Sequence, residues 1–218
     1  MSNQAFTFNE FGTEAFQKEN IEWVNIWCEN TNDKTLPRVA LVGDSITQQS
    51  FQTVQKELKG LALVDYFATS YSLLSPAYEN MLTGFLNDSK YDVVCYNYGL
   101  HGYAINGENF EKAYRATIEK IRKNSKIVIS LTTCVRDKTD LTKISERWEH
   151  KVQERNLIAQ KVAREYGIFV DDLFSVSMRL GVEGISIDGV HFNDYGKECI
   201  AKSKAEAIKK ILSSEAQV

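Results

Sequence analysis

Five short apolar runs punctuate the chain, at 38–43 (RVALVG), 61–67 (LALVDYF), 91–98 (YDVVCYNY), 126–133 (KIVISLTT) and 168–173 (IFVDDL). They are rich in Val, Ile and aromatic residues, and they are near-continuous rather than alternating. Runs of this kind read as strands buried on both faces. Between them the period lengthens. Phe110, Ala113, Thr117, Ile118 and Ile121 recur at helical spacing and predict a helix over about 107–123. Ile144, Trp148, Val152, Ala159, Val162 and Tyr166 predict another over about 142–166. One helix starts near 46 and a last one covers about 194–213. A further helix is expected near 13–29, with Phe16, Val24, Trp27 and Cys28 on one side.

Strands that alternate with helices require crossover connections, and hence a parallel sheet. Right-handed crossovers then give a three-layer α/β/α sandwich with a five-stranded parallel sheet. In such sheets, sites form beyond the C-terminal ends of the strands. The segments just after 43, 67, 98, 133 and 173 are therefore the places to look for chemistry.

Composition changes this picture little. The 218 residues are 43% hydrophobic and 25% charged, with a net charge of -3. That is ordinary for a globular chain of one domain, with residues 1–36 as a helical extension packed on the domain of 37–218. No basic excess points to nucleic acid or to an acidic membrane surface. The N-terminus has neither a basic nor an apolar signal region, and no apolar run reaches the ~20 residues of a membrane span. A cytoplasmic location is expected. The four cysteines, Cys28, Cys95, Cys134 and Cys199, form no CxxC pair and are expected to be reduced and structural.

Chemistry concentrates in two segments. In VALVGDSITQQS, residues 39–50, Gly43 allows a sharp turn after the first predicted strand, and Ser45 follows at a helix N-terminus. There its hydroxyl lies beside free backbone N–H groups, its own included, at the positive end of a helix dipole. Ser45-Ile46-Thr47-Gln48 is equally a capping box, which needs no chemistry. The second segment is SIDGVHFNDYGKE, residues 186–198. Asp188 and His191 lie three apart in a turn before the last helix, so the carboxylate can hold one ring nitrogen and leave the other as a base. A serine hydroxyl needs such a base, and the base an orienting partner. Of the three histidines, His150 lies mid-helix opposite the apolar stripe and reads as a surface residue, so no metal cluster is indicated.

GDSIT after the first predicted strand, with DGVHFN before the last helix, resembles the SGNH/GDSL hydrolase superfamily over about 38–213. The resemblance implies a flavodoxin-like sheet, a serine ester hydrolase needing no metal or organic cofactor, and a Ser45–His191–Asp188 triad. It also implies two middle motifs that are altered here. A family glycine after strand two supplies an oxyanion-hole N–H, but this chain reads FATSYSLLSP, where Ser70 is the best match and Thr69 the next. The family's G-x-N-D loop is replaced by YNYGLHGY, which puts His101 where Asn is usual. A neutral imidazole donates one N–H and an imidazolium adds charge, so His101 can fill the role, with Asn97 as the second candidate donor. The N-x-GLH-G stretch resembles a subset of the superfamily linked to deacylation of carbohydrates. Asp44 and Arg136 are further candidates to contact a small-molecule or carbohydrate ester. For Arg136 the alternative is a surface pair with Asp137. A flavodoxin-like binding module, a thioesterase or arylesterase, and an inactive binding relative remain the competing readings.

Overall fold

The computed structural model describes residues 18–213. In chain order the strands are β1 (Val24–Trp27), β2 (Arg38–Gly43), β3 (Leu63–Thr69), β4 (Val93–Asn97), β5 (Lys126–Ser130), β6 (Arg136–Asp137), β7 (Asp140–Ile144) and β8 (Phe169–Asp171). The helices are α1 (Ser45–Glu57), α2 (Pro76–Asp88), α3 (Gly107–Arg122), α4 (Glu146–Tyr166), α5 (Leu173–Leu180) and α6 (Asp194–Ser213). Six strands form one sheet in the order β1-β3-β2-β4-β5-β8, and β6 and β7 form a separate hairpin.

The five expected parallel strands are all present. Alternate residues of β2 feed two layers, as strand geometry demands. Ala40 and Val42 pack toward α2, α3 and α4, with Tyr78, Phe110, Ile118 and Val162. Val39 and Leu41 pack toward α1 and α6, with Phe51, Val54, Ala201 and Ile208. The result is a three-layer α/β/α sandwich. No helix of the described residues is long and apolar enough to cross a membrane.

Several expectations are corrected. Within the helix expected at 13–29, residues 24–27 form β1, an antiparallel sixth strand on the outer edge of β3. Val24 and Ile26 are β-branched and suit a strand, and the open edge of β3 offers backbone partners. Phe16 lies outside the described residues. The helix expected from 142 begins at Glu146, because Asp140–Ile144 pairs with β6 instead. The last strand is shorter than its apolar run: Asp172 caps α5 by accepting from the Ser175 N–H, so Leu173 is already helical. Helices α2 and α5 and the β6–β7 hairpin were not anticipated. Cys95 and Cys134 are buried, Cys28 and Cys199 are half-buried, and all four thiols are free.

Candidate active site

The strand register brings the loops of interest to one level. Gly43 pairs with Ala68 of β3 on one side and Asn97 of β4 on the other. Ser45, the 69–71 segment and the 99–102 loop therefore leave the sheet side by side. A Cβ at Gly43 would run into the Asn97 carbonyl and the Thr47 hydroxyl. Glycine is thus required where the chain turns from β2 into α1.

Ser45 is not the helix cap. Asp44 holds that position, buried and with its Oδ1 accepting from the Ile46 N–H at 3.0 Å. Ser45 occupies the first helical residue, where its N–H has no partner inside the helix. Its Oγ lies 2.8 Å from Nε2 of His191, and Nδ1 of His191 lies 2.6 Å from Oδ2 of Asp188. The other carboxylate oxygen of Asp188 accepts the N–H groups of Val190 and His191, each at 2.9 Å. Burial acts to raise the Asp188 carboxyl, but the His191 ring and the two N–H groups outweigh it and hold it below the usual range.

The loop that carries this pair is braced on two sides. Ile46, Leu173, Ile185, Phe192 and Ile200 form a third apolar cluster, so the neighbours of Ser45 and His191 share one core. The Ile185–Phe192 bridge closes the loop, and Ser186 N–H donates to the His191 carbonyl at 2.7 Å. From β6, the Arg136 N–H donates to the Gly189 carbonyl at 2.7 Å. Gly189 has φ +75°, and a Cβ there would strike the Arg136 carbonyl.

The remaining candidates fall out differently. Arg136 is 7% exposed, and its guanidinium donates to the carbonyls of Leu141, Thr142 and Met178. It fastens the β6–β7 hairpin to α5, and its guanidinium turns to these carbonyls rather than to Asp137. Asn97 is a buried structural amide. Its Nδ2 donates to the Ser130 and Leu131 carbonyls, and its Oδ1 accepts from the buried Lys204. It has no donor left for an oxyanion. The Ser70 N–H donates to the Trp23 carbonyl at 3.2 Å, so it too is occupied. At Thr69 the hydroxyl donates to the same carbonyl and accepts from the Tyr71 N–H.

His101 meets the N-terminal segment. Its Nδ1 lies 2.7 Å from Oε1 of Glu19, and the Trp23 ring stands edge-on to it at 6.4 Å. Burial pulls the His101 ring toward the neutral form. The Glu19 contact and the charges of Asp44, Glu19 and Glu22 outweigh it, and the net effect raises its pKa. Two cationic residues that frame the site escaped the sequence reading. Arg155 of α4, 1% exposed, donates to the carbonyls of Gly99, His101 and Gly102 and lies over the Phe110 ring at 4.7 Å. Burial lowers its pKa to about 10. Lys204 of α6 donates to the Thr47 hydroxyl at 3.2 Å as well as to Asn97, and burial lowers its pKa too. Both sit in register with apolar stripes, at 152, 155 and 159 and at 200, 204 and 208. A cation inside such a stripe is the signal that could have found them. His150 is exposed on α4, as expected. No cluster of metal-ligating side chains exists among the described residues.

No family model matches the sequence, and no curated protein does. Solved structures do match. The lipase/acylhydrolase from Enterococcus faecalis aligns at 19% identity and TM-score 0.61, over 80% of this chain and 96% of that one. A member of the lipolytic G-D-S-L family from Veillonella parvula aligns at 17% identity and TM-score 0.63, over 81% and 100%. A GDSL-like lipase from Bacteroides thetaiotaomicron aligns at 17% identity and TM-score 0.60, over 79% and 88%. The chain has the fold of these proteins, in agreement with the superfamily that its GDSIT and DGVHFN motifs resemble.

Proposed function

We propose that the protein is a serine ester hydrolase that removes small acyl groups, with O-acetyl groups on a carbohydrate as the substrate class. The observation that carries this reading is the unbroken chain from Ser45 Oγ through His191 to Asp188, at 2.8 and 2.6 Å. His191 Nε2 takes the hydroxyl proton as Ser45 attacks the ester carbonyl. Asp188 holds the ring in the required tautomer and stabilises its charged form. The oxyanion is stabilised by the Ser45 N–H at the start of α1 and by a donor from His101. His191 then protonates the leaving alcohol and activates the water that releases the acyl group. The fold shared with lipases and acylhydrolases supports the reaction class, and the N-x-GLH-G resemblance supports the carbohydrate substrate.

The test is hydrolysis of p-nitrophenyl acetate, butyrate and octanoate by wild type and Ser45→Ala. Removal of a triad serine lowers kcat by up to ~10⁶-fold. Acetate turnover that vanishes in Ser45→Ala, with an unchanged melting temperature, is the expected result. It leads directly to acetylated sugars as the next substrates. One observation favours a second reading, a catalytically impaired glycan-binding protein: the Ser70 N–H is taken by Trp23. Equal background rates in wild type and variant, with no labelling by a serine-directed phosphonate, would support that reading instead.

A further inference from the structure

The segment 19–23 engages Ser70 through its N–H and its hydroxyl, and His101 through its ring. Glu22 links it internally and outward: its Oε1 accepts from the Glu19 N–H at 2.9 Å, and its Oε2 accepts from the Ser70 hydroxyl at 2.7 Å. The Ser70 hydroxyl also accepts from the Trp23 N–H at 2.9 Å. These bonds place the Glu19 carboxylate against His101, whose side chain is 16% exposed. Arg155 fixes the same loop from behind through the His101 carbonyl.

This arrangement has a consequence for what His101 can donate. A neutral imidazole whose Nδ1–H faces a carboxylate has a bare Nε2, which accepts and cannot donate. Only the imidazolium gives its carboxylate one N–H and keeps the other. We propose that Glu19 is a positioning residue: it orients the His101 ring, keeps it an imidazolium, and so leaves Nε2–H as a charged donor for the oxyanion formed at Ser45. The inference rests on the esterase reading given above. Three acidic groups from two places act on this ring: Glu19 and Glu22 from the N-terminal segment, and Asp44 at the β2–α1 junction. The Tyr98 ring lies 6.3 Å away, with its hydroxyl turned to the Tyr71 carbonyl. Arg155 stands behind the loop, with its Nη groups donating to loop carbonyls. Three carbonyl contacts from Arg155 and two donors from the end of β3 to the Trp23 carbonyl thus build the setting, and Glu19 is the carboxylate in direct contact with the ring.

The experiment is an NMR titration of the three histidine rings in wild type and Glu19→Gln, alongside kcat/KM against pH for p-nitrophenyl acetate. The glutamine keeps an acceptor but removes the charge. The His101 ring is expected to titrate above the ordinary histidine value in wild type and lower in the variant, as loss of an adjacent opposite charge implies. The donor role needs His101 charged, so activity falls as pH rises through the titration of that ring. Glu19→Gln is expected to move this alkaline limb to lower pH. In His101→Asn, which donates without charge, the alkaline limb disappears and Glu19→Gln has no further effect. An unchanged His101 titration in Glu19→Gln overturns the proposal, as does a shifted titration with an unmoved alkaline limb. If wild type turns over no ester, the esterase reading and the donor role fall together. The ring titration then still decides whether Glu19 sets the charge.

Discussion

At the scale of single residues, the site shows how little separates a reactive serine from a cap. Both belong at a helix N-terminus, and the sequence GDSIT offers two polar residues for two jobs. The structure gives the cap to Asp44 and leaves the Ser45 hydroxyl on His191. Asp188 invites a direct test. In Asp188→Asn an amide oxygen can still accept the Val190 and His191 N–H groups, so the loop keeps its shape. The amide cannot stabilise an imidazolium, and it favours the wrong tautomer. Ester hydrolysis is expected to fall by about 10³- to 10⁴-fold with little change in stability, measured as kcat beside thermal melting. Arg155 makes the opposite prediction. Arg155→Met leaves the carbonyls of Gly99, His101 and Gly102 without their donor. Three buried acceptors at once should cost roughly 3 kcal/mol in urea unfolding, and His101 should lose its fixed position. The Ser45–His191–Asp188 contacts were legible in the sequence because the three residues lie in two short motifs. Arg155 was not, because its partners are backbone carbonyls more than fifty residues away, and carbonyls carry no sequence signature.

At the scale of elements, periodicity located every strand of the parallel sheet and most of the covering helices. It failed where an element is fixed by a partner rather than by its own pattern. Val24–Trp27 could wrap a helix as easily as extend, and the β3 edge decides. Residues 142–144 read as the start of α4 until Arg136–Asp137 pairs with their strand. The β1–β2 connection has its own lock. Asp65, fully buried in β3, accepts from the Arg38 guanidinium at 2.9 Å, from the Glu29 N–H at 3.1 Å and from the Tyr91 hydroxyl at 3.2 Å. The Arg38 guanidinium in turn donates to the Asn30 and Glu29 carbonyls. Asp65→Ala would strand a buried cation and release the connection. A loss of about 3–5 kcal/mol is expected in denaturant unfolding, the range for one partner removed from a buried ion pair.

At the scale of the whole molecule, the sandwich delivers Ser45 and His191 from opposite ends of the chain to one point. The third apolar cluster makes that meeting part of the core rather than a matter of loop luck. Ile46 and Phe192, the residues after each catalytic candidate, are buried together. The setting of His101 is assembled differently, from polar contacts of a segment outside the parallel sheet. That is why the family's middle motifs were the least readable part of the sequence.

The outer position of β1 also bears on the order in which the protein comes to life. Val24–Trp27 leaves the ribosome well before its partner, Tyr66–Thr69, exists. Its side chains stay largely exposed even when paired, so little apolar burial holds it. The parallel sheet can therefore consolidate first, with β1 docking last and detaching first. Native-state hydrogen exchange should show the amides of 24–27 opening ahead of those in β2 and β4. Exchange of the edge strand as slow as the central strands would contradict this order. If it holds, a newly made chain carries its Ser45–His191 pair before its Glu19–His101 pair, and maturation of the site is the final event of folding.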